Sequence, residues 1–198
     1  MIKLYSLKKT EKIINEMEPA IRRASGDYHV PEAFIKAILY REIKEIDLAD
    51  AGVDMIVKSQ VLSKLLHRRD SSTGYAQIYG FVAVNALKFA EEQGLEKAEN
   101  LGFPPANELS PKNTEDVRKM WLKLHQDPEF NLRLAVLNMA SAAYEMTGSL
   151  DFSAFSDDDL KRVFSRYNAN TKEINAYGKE VFGYYQRYLK EEENKETA

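Results

Sequence analysis

Apolar residues recur at helical spacing along almost the whole chain, and no convincing run of alternating apolar and polar residues appears. The pattern predicts a mainly α-helical protein with at most a small hairpin, near residues 70–74. Helices are predicted at residues 10–25, 31–46, 53–66, 76–93, 114–124, 128–146, 157–167 and 172–190. Residues 94–113 hold two glycines and three prolines, which indicates a long surface connection that we interpret as a lid or rim loop.

A carboxylate interrupts the apolar pattern of the second predicted helix. Pro31 opens this helix at a favoured first position. Glu42 falls in the middle of its apolar stripe, which consists of Ile35, Ile38, Leu39 and Ile46. Burying a carboxylate is costly unless it is paired or protonated, so we expect a raised pKa, as a general acid needs. The alternative is that Glu42 lies at the edge of the stripe and reaches solvent, or pairs with a buried arginine.

Composition and charge describe an ordinary globular protein. The chain has 198 residues, of which 44% are hydrophobic and 30% are charged, and this fits one domain over residues 1–190. Residues 191–198 form a charged tail that is predicted to fray. The net charge of −3 gives no sign of a nucleic-acid partner, so a polyanionic substrate would need local basic groups such as Arg68 and Arg69.

The sequence does not support a metal site, a cofactor site, a signal peptide or a membrane-spanning segment. It has no cysteine, and its three histidines, His29, His67 and His125, have no metal-binding spacing, so no metal and no cofactor is predicted. No apolar run is long enough for a signal peptide or for insertion into a membrane. We therefore expect synthesis in the cytoplasm without a signal peptide.

Three further segments carry candidate chemistry. The turn "RRDSSTGYAQIYG" places Gly74 and Gln77 before or at a helix start, where backbone and side-chain amides can meet a ligand. Asp127 caps a helix that begins with proline, and Tyr167 and Asn168 end another helix before an aromatic-lined one. Each segment also has a purely structural interpretation, as a helix cap, a packing helix or core tyrosines.

In order and spacing, these segments and the helix of Glu42 resemble the lysozyme-like superfamily, in particular the lytic transglycosylases related to soluble transglycosylases and goose-type lysozymes. The family's "P-x-x-x-x-x-A-I-x-x-x-E" helix matches "PEAFIKAILYRE", and the resemblance implies that Glu42 is the catalytic acid. It also implies that Tyr167 hydrogen-bonds Glu42 and that Asn168 contacts substrate. The turn residues that would contact the sugar chain are Ser72, Gly74, Tyr75 and Gln77.

Two more motifs extend the resemblance from residue 30 to about residue 188. A "D-P-x-x-N-I" helix start matches Asp127, Pro128 and Asn131, and a "Y-N-A-G" motif matches the segment beginning at Tyr167. The chain departs from the family at Asn170, where glycine is usual, and after the glutamate, where the usual serine is isoleucine. Its turn reads "GYAQI" where "GLMQ" is common.

The resemblance implies cleavage of peptidoglycan at the bond between N-acetylmuramic acid and N-acetylglucosamine. Water-using glycosidases need a second carboxylate, at roughly 5 Å or roughly 6.5–9.5 Å from the acid, whereas lytic transglycosylases need one carboxylate. Asp70 is the best candidate among Asp47, Asp50, Asp54 and Asp70, although it is equally explained as a turn-forming aspartate. Hydrolysis and anhydro-ring formation therefore both stay open.

The expected partner is the glycan strand of peptidoglycan, with no nucleic acid and no inserted membrane. Such an enzyme would reach the cell wall through a phage, a holin or a secretion system. One rival hypothesis is a catalytically inactive lysozyme-like module that binds glycan or a protein partner. Another is an all-helical interaction protein unrelated to sugars.

Overall fold

The computed structural model describes residues 3–63 and 70–196, with the backbone alone for residues 50, 51, 60–63 and 196. Within these residues the chain forms eight α-helices. They are α1 (Leu7–Tyr28), α2 (Glu32–Glu45), α3 (Leu48–Ser63), α4 (Gly80–Glu92), α5 (Thr114–Gln126), α6 (Pro128–Thr147), α7 (Asp157–Asn168) and α8 (Ala176–Glu196). Short 3-10 helices occur at Ala98–Leu101, Ala106–Glu108 and Phe152–Ala154. The prediction of a mainly α-helical protein is confirmed.

Helix α2 runs through the centre of the core. Its residues from Ala33 to Tyr40 are all buried, and so is Ile43, whereas Arg41 and Glu42 are half-buried. α2 packs between α1 and α8, and α6 packs against α1, α4 and α7. The helix therefore emerges from the apolar interior at the turn that carries Glu42.

The helix predicted to begin at residue 76 begins only at Gly80, because residues 73–78 form a tight turn. An isolated antiparallel bridge joins Thr73 and Ile78, whose backbone groups exchange hydrogen bonds of 3.1 and 3.3 Å. Gln77 inside the turn has a left-handed φ of 47°, which a continuing α-helix does not allow. The small hairpin thus lies a few residues later than predicted.

Two other segments differ from the sequence pattern. Helix α8 starts at Ala176 and continues through Glu196, so residues 191–196 of the predicted tail are helical in the structure. The connection at residues 94–113 packs against α4. There the Lys88 ammonium donates to the carbonyl oxygens of Ala106 at 2.9 Å and Leu109 at 3.0 Å.

Candidate active site

A cleft of about 670 Å³ opens where the end of α2 meets the 73–78 turn, α4, α6 and the end of α7. It is lined by residues from all of these elements: Glu42, Glu45, Ile46, Ser72, Gln77, Ile78, Tyr79, Phe81, Val82, Asn85, Ala86, Asn138, Ser141, Arg166, Tyr167, Asn168, Ala169 and Asn170. Among the predicted site residues, the fold brings Glu42, Ser72, Gln77, Tyr167 and Asn168 together in this cleft.

Glu42 lies half-buried in the cleft wall, and Tyr177 holds its carboxyl group. The Tyr177 hydroxyl, at the start of α8, donates a hydrogen bond to Glu42 Oε1. Burial and then the charge of Glu42 raise the pKa of Tyr177 well above its usual value. The phenol therefore stays protonated and acts as a fixed donor to the carboxyl group. In the sequence, Tyr177 is one of several aromatic residues of a predicted helix, and no local pattern distinguishes it from the others.

Tyr167, predicted to orient Glu42, lines the cleft and holds the neighbouring turn. Its hydroxyl donates to the carbonyl oxygen of Ala76 at 2.8 Å. Burial and then the charge of Glu42 raise the pKa of Tyr167 well above its usual value. Since a phenol has one proton to donate, Tyr167 joins the cleft wall to the turn, and of the two tyrosines it is Tyr177 that donates to Glu42.

The turn presents Ser72 and Gln77 to the cleft. The Gln77 amide nitrogen donates to the carbonyl oxygen of Gly74 at 2.8 Å, and the Ser72 hydroxyl donates to Gln77 Oε1 at 3.0 Å. These two bonds hold the Gln77 side chain across its own turn. Its amide is consequently fixed in orientation at the cleft.

Asn131, on the first turns of α6, clamps the 73–78 turn from behind. Its side chain is 1% exposed, donates to the Thr73 carbonyl oxygen at 2.9 Å and accepts from the Ala76 amide at 3.1 Å. A Cβ atom at Gly74, where φ is +70°, would collide with this asparagine. Asp127 caps α6 by accepting from the Phe130 amide at 3.0 Å, as predicted. The asparagine of the predicted helix-start motif is therefore a support of the turn.

Gly74 and Tyr75, predicted to contact substrate, lie on the far side of the turn. They line a second cavity of about 270 Å³, which shares Ile46 and Gln77 with the cleft. The other residues around this cavity are Leu4, Tyr5, Asp54, Leu124, His125 and Pro128. The predicted contact set is thus divided between two neighbouring cavities.

Asp70, the predicted second carboxylate, binds the start of α4 and is not among the lining residues of the cleft. Its two oxygens accept from the amides of Gly80 at 2.7 Å and Phe81 at 2.9 Å. Burial raises the pKa of Asp70 to about 6, against the lowering effect of hydrogen bonds from backbone amides. This arrangement fits the structural alternative, in which the aspartate organises the local backbone.

The other proposed acids are likewise engaged elsewhere. Asp47 accepts from the Ala49 amide at 2.8 Å, and Asp54 accepts from the hydroxyls of Ser71 at 3.0 Å and Thr73 at 2.7 Å. The side chain of Asp50 lies outside the described residues, as do Arg68 and Arg69.

Glu45 is the second carboxylate that lines the cleft, one helical turn after Glu42. Its carboxylate lies 2.5 Å from the Lys3 ammonium, and this hydrogen bond is the main cause that lowers the pKa of Glu45. The i, i+3 spacing from Glu42 on a predicted helix was the sequence signal that could have identified it.

The remaining cleft wall is rich in amides and carries two exposed aromatic rings. Tyr79 and Phe81 are 42% and 43% exposed, with ring centroids 5.7 Å apart. Within the described part of the chain, the amide side chains of Asn85 and Asn138 have no hydrogen-bond partner in the protein. The predicted lid at residues 94–113 contributes no lining residue.

In residues 3–63 and 70–196 no cluster of three or more histidine, aspartate or glutamate side chains is arranged to hold a metal ion. Across the same residues, no helix combines the length and apolar character that crossing a membrane requires. Fold and cleft define a mainly α-helical protein with a carboxylate-bearing, amide-rich cleft. Models of known families, curated proteins and solved structures were compared with the chain, and none of them matches it.

Proposed function

We propose that this protein is a glycosidase that cleaves peptidoglycan between N-acetylmuramic acid and N-acetylglucosamine, with Glu42 as the general acid. It would act as a lytic transglycosylase or as a lysozyme-type muramidase. The observation that supports this proposal is the cleft itself. It joins Glu42 to Ser72, Gln77, Tyr167 and Asn168, although these residues lie far apart along the chain.

The surroundings of Glu42 suit proton donation. When an acid gives up its proton it becomes a carboxylate, and a donor that is already aimed at it stabilises the charge that develops. The Tyr177 hydroxyl is such a donor, because it contacts Oε1 from a nearly buried position on α8. Protonation of the leaving oxygen of a sugar is the step that this arrangement assists.

The cleft walls suit an acetamido sugar chain. Side-chain amides offer both donors and acceptors, and the exposed rings of Tyr79 and Phe81 offer flat apolar faces for the C–H side of a pyranose. A cleft of about 670 Å³ has the size of a binding site for an extended ligand.

The position of Asp70 favours the route that uses one carboxylate. Both of its oxygens accept backbone amides at the start of α4, so it is not placed to activate water. Glu45, the second carboxylate that lines the cleft, is bound by the Lys3 ammonium. A hydroxyl group of the substrate would then attack in place of water. Mass spectrometry of the released fragments separates the two routes, because their products differ by one water.

The test is the release of soluble fragments from purified cell walls by Glu42→Gln. We expect this variant to fold normally and to release none, since glutamine fills the same space without an acidic proton. Glu129→Gln is the matched control because it makes the same change at a carboxylate that binds Arg23 outside the cleft. We expect that control to retain most activity. Clearing of walls by Glu42→Gln at the wild-type rate would refute the assignment.

A second candidate function is a catalytically inactive module that binds glycan or a protein partner. Asn170 favours it, because this residue lines the cleft where the resembled family has glycine. Such a module would bind chitin or muropeptide oligomers without producing new sugar ends. Detection of any new reducing or anhydro end would exclude it.

A further inference from the structure

Glu180 binds the two cations that flank Glu42 on α2. The Nε of Arg41 donates to Glu180 Oε2 at 2.8 Å, and the Lys44 ammonium donates to Oε1 at 2.9 Å. The Tyr184 hydroxyl also donates to Oε1 at 2.8 Å. One carboxylate on α8 thus holds the side chains that lie one position before and two positions after the proposed acid.

Arg41 is close enough to affect Glu42 directly. Its guanidinium carbon lies 5.3 Å from the centroid of the Tyr177 ring, and the hydroxyl of that ring donates to Glu42. The charges of Arg41 and Glu42 interact, since the Glu42 carboxylate is among the groups that raise the pKa of Arg41 against its burial. A rotation of the Arg41 side chain away from Glu180 would strengthen this interaction.

Such a rotation would harm a general acid. An opposite charge within about 4–6 Å lowers the pKa of a carboxyl group by about 1–3 units. A glutamate paired with arginine would be ionised at neutral pH and would have no proton to give. An acid on this wall therefore requires that the neighbouring arginine be bound elsewhere.

We propose that Glu180 is a positioning residue, which binds Arg41 and thereby keeps its positive charge from pairing with Glu42. The proposal rests on the proposed function, in which Glu42 is the acid. Glu180 touches no substrate in this scheme and acts only through Arg41.

The other charged and titratable groups near Glu42 have partners of their own. Glu45 pairs with Lys3 of the N-terminal segment, and it also lies 3.4 Å from the Lys44 ammonium and 3.9 Å from the Arg41 guanidinium. Arg166 of α7 pairs with Glu145 of α6 at 2.7 Å. The set of charged and titratable groups around Glu42 comprises Glu45, Tyr79, Arg166 and Tyr167, which line the cleft with it, Arg41 and Tyr177, which interact with it, and Glu180, which binds Arg41. Within it, Glu180 is the acid that binds Arg41 in a short hydrogen bond.

Glu180 carries its negative charge over the whole working range of such an enzyme. Burial raises its pKa, but hydrogen bonds from Lys44 and Tyr184 and the charge of Arg41 outweigh burial and bring the pKa to about 2. Glu180 therefore stays charged and bound to Arg41 at any pH at which Glu42 would titrate.

The test is to follow the Glu42 carboxyl carbon by NMR as a function of pH, with the signal assigned through Glu42→Gln. In Glu180→Gln we expect the pKa of Glu42 to fall by about one unit or more, because Arg41 is released towards it. In the double variant Glu180→Gln/Arg41→Gln the pKa should return to the wild-type value. An unchanged Glu42 titration in Glu180→Gln, or no recovery in the double variant, would overturn the proposal.

The controls separate this role from a structural one. Glu129→Gln breaks an arginine–carboxylate contact of 2.9 Å with Arg23 outside the cleft, and it should leave the Glu42 titration unchanged. Should Glu180→Gln fail to fold, Glu180→Asp keeps the charge but shortens the reach to Arg41. It should then lower the pKa of Glu42 by a smaller amount. An unchanged pKa of Glu42 in Glu180→Asp would count against the proposal.

Activity is measured separately, so that the two proposals can fail independently. If wild type releases no wall fragments while Glu180→Gln shifts the Glu42 titration, the proposed function fails and the positioning role holds. If wild type cleaves walls and Glu180→Gln leaves the Glu42 titration unchanged, the proposed function holds and the positioning role fails. When both hold, the high-pH limb of the rate profile should move to lower pH in Glu180→Gln by the same amount as the titration.

Discussion

Replacing Tyr177 by phenylalanine removes one oxygen atom from the site and leaves the ring in place. The ring is 8% exposed and packs beside Arg41, so the variant should keep its packing. What it loses is the hydrogen bond to Glu42 Oε1. A hydrogen bond to a charged group contributes about 1.5–3 kcal/mol.

Two effects of known sign follow from that energy. At 1.36 kcal/mol per pKa unit, loss of the donor should raise the pKa of Glu42 by about 1–2 units, because the donor favours the carboxylate. The developing carboxylate also loses this stabilisation in the transition state, so kcat should fall by about 10- to 100-fold. This pKa change is opposite in sign to the one expected for Glu180→Gln.

The assays are fragment release from cell walls and NMR titration of Glu42, with Tyr188→Phe as the control. Tyr188 lies on the same helix, is 4% exposed and donates to the carboxylate of Glu11 at 3.1 Å, outside the cleft. Both variants should lose a similar free energy of unfolding, and only Tyr177→Phe should lose activity. Equal activity of the two variants, together with an unchanged Glu42 titration, would show that the Tyr177 hydroxyl does not stabilise the Glu42 carboxylate.

Three further predictions concern Gly74 in the 73–78 turn, Glu180 on α8 and the exposed ring of Phe81. Gly74→Ala should lower the free energy of unfolding by more than Gly148→Ala. Both glycines have φ near +70°, but only at Gly74 would the added Cβ atom collide with a neighbouring side chain. Equal urea midpoints of the two variants would contradict this prediction. Glu180→Gln should be about 1 kcal/mol less stable than wild type at pH 6, a modest loss because the ion pair is partly exposed. That difference should vanish as the pH falls from about 4.5 to about 2, since the contribution of a carboxylate with a lowered pKa is lost there, and a pH-independent difference would contradict it. Phe81→Ala should weaken binding of chitin oligomers at unchanged Tm, whereas the exposed Met55→Ala should not, as titration calorimetry can check.

Short-range features of the site could be predicted because their causes are short-range. The apolar period of α2 placed Glu42 among buried residues, and Asp127 caps α6 through an amide three positions away. Helix periodicity and capping depend on neighbours within one or two turns, which the linear sequence contains.

The start of α4 was mispredicted because a distant residue decides it. Residues 76–79 have the composition of a helix start, yet the turn is clamped by Asn131, which lies 55 positions from Ala76. The sequence left two roles open for Asp70, second carboxylate or turn-forming residue, for a related reason. A position along the chain does not tell that its oxygens accept amides of α4.

The helical class of this protein, most helix positions and the carboxylate that interrupts the apolar stripe of α2 were predictable from the amino-acid sequence, since all of these follow from local periodicity. The surroundings of that carboxylate depend on how distant helices pack. Tyr177 lies 135 positions from Glu42 and Glu180 lies 139 positions from Arg41, and no local pattern specifies such contacts. They arise because α2 and α8 bury apolar faces against each other, and the polar groups at the edge of that interface must then find partners.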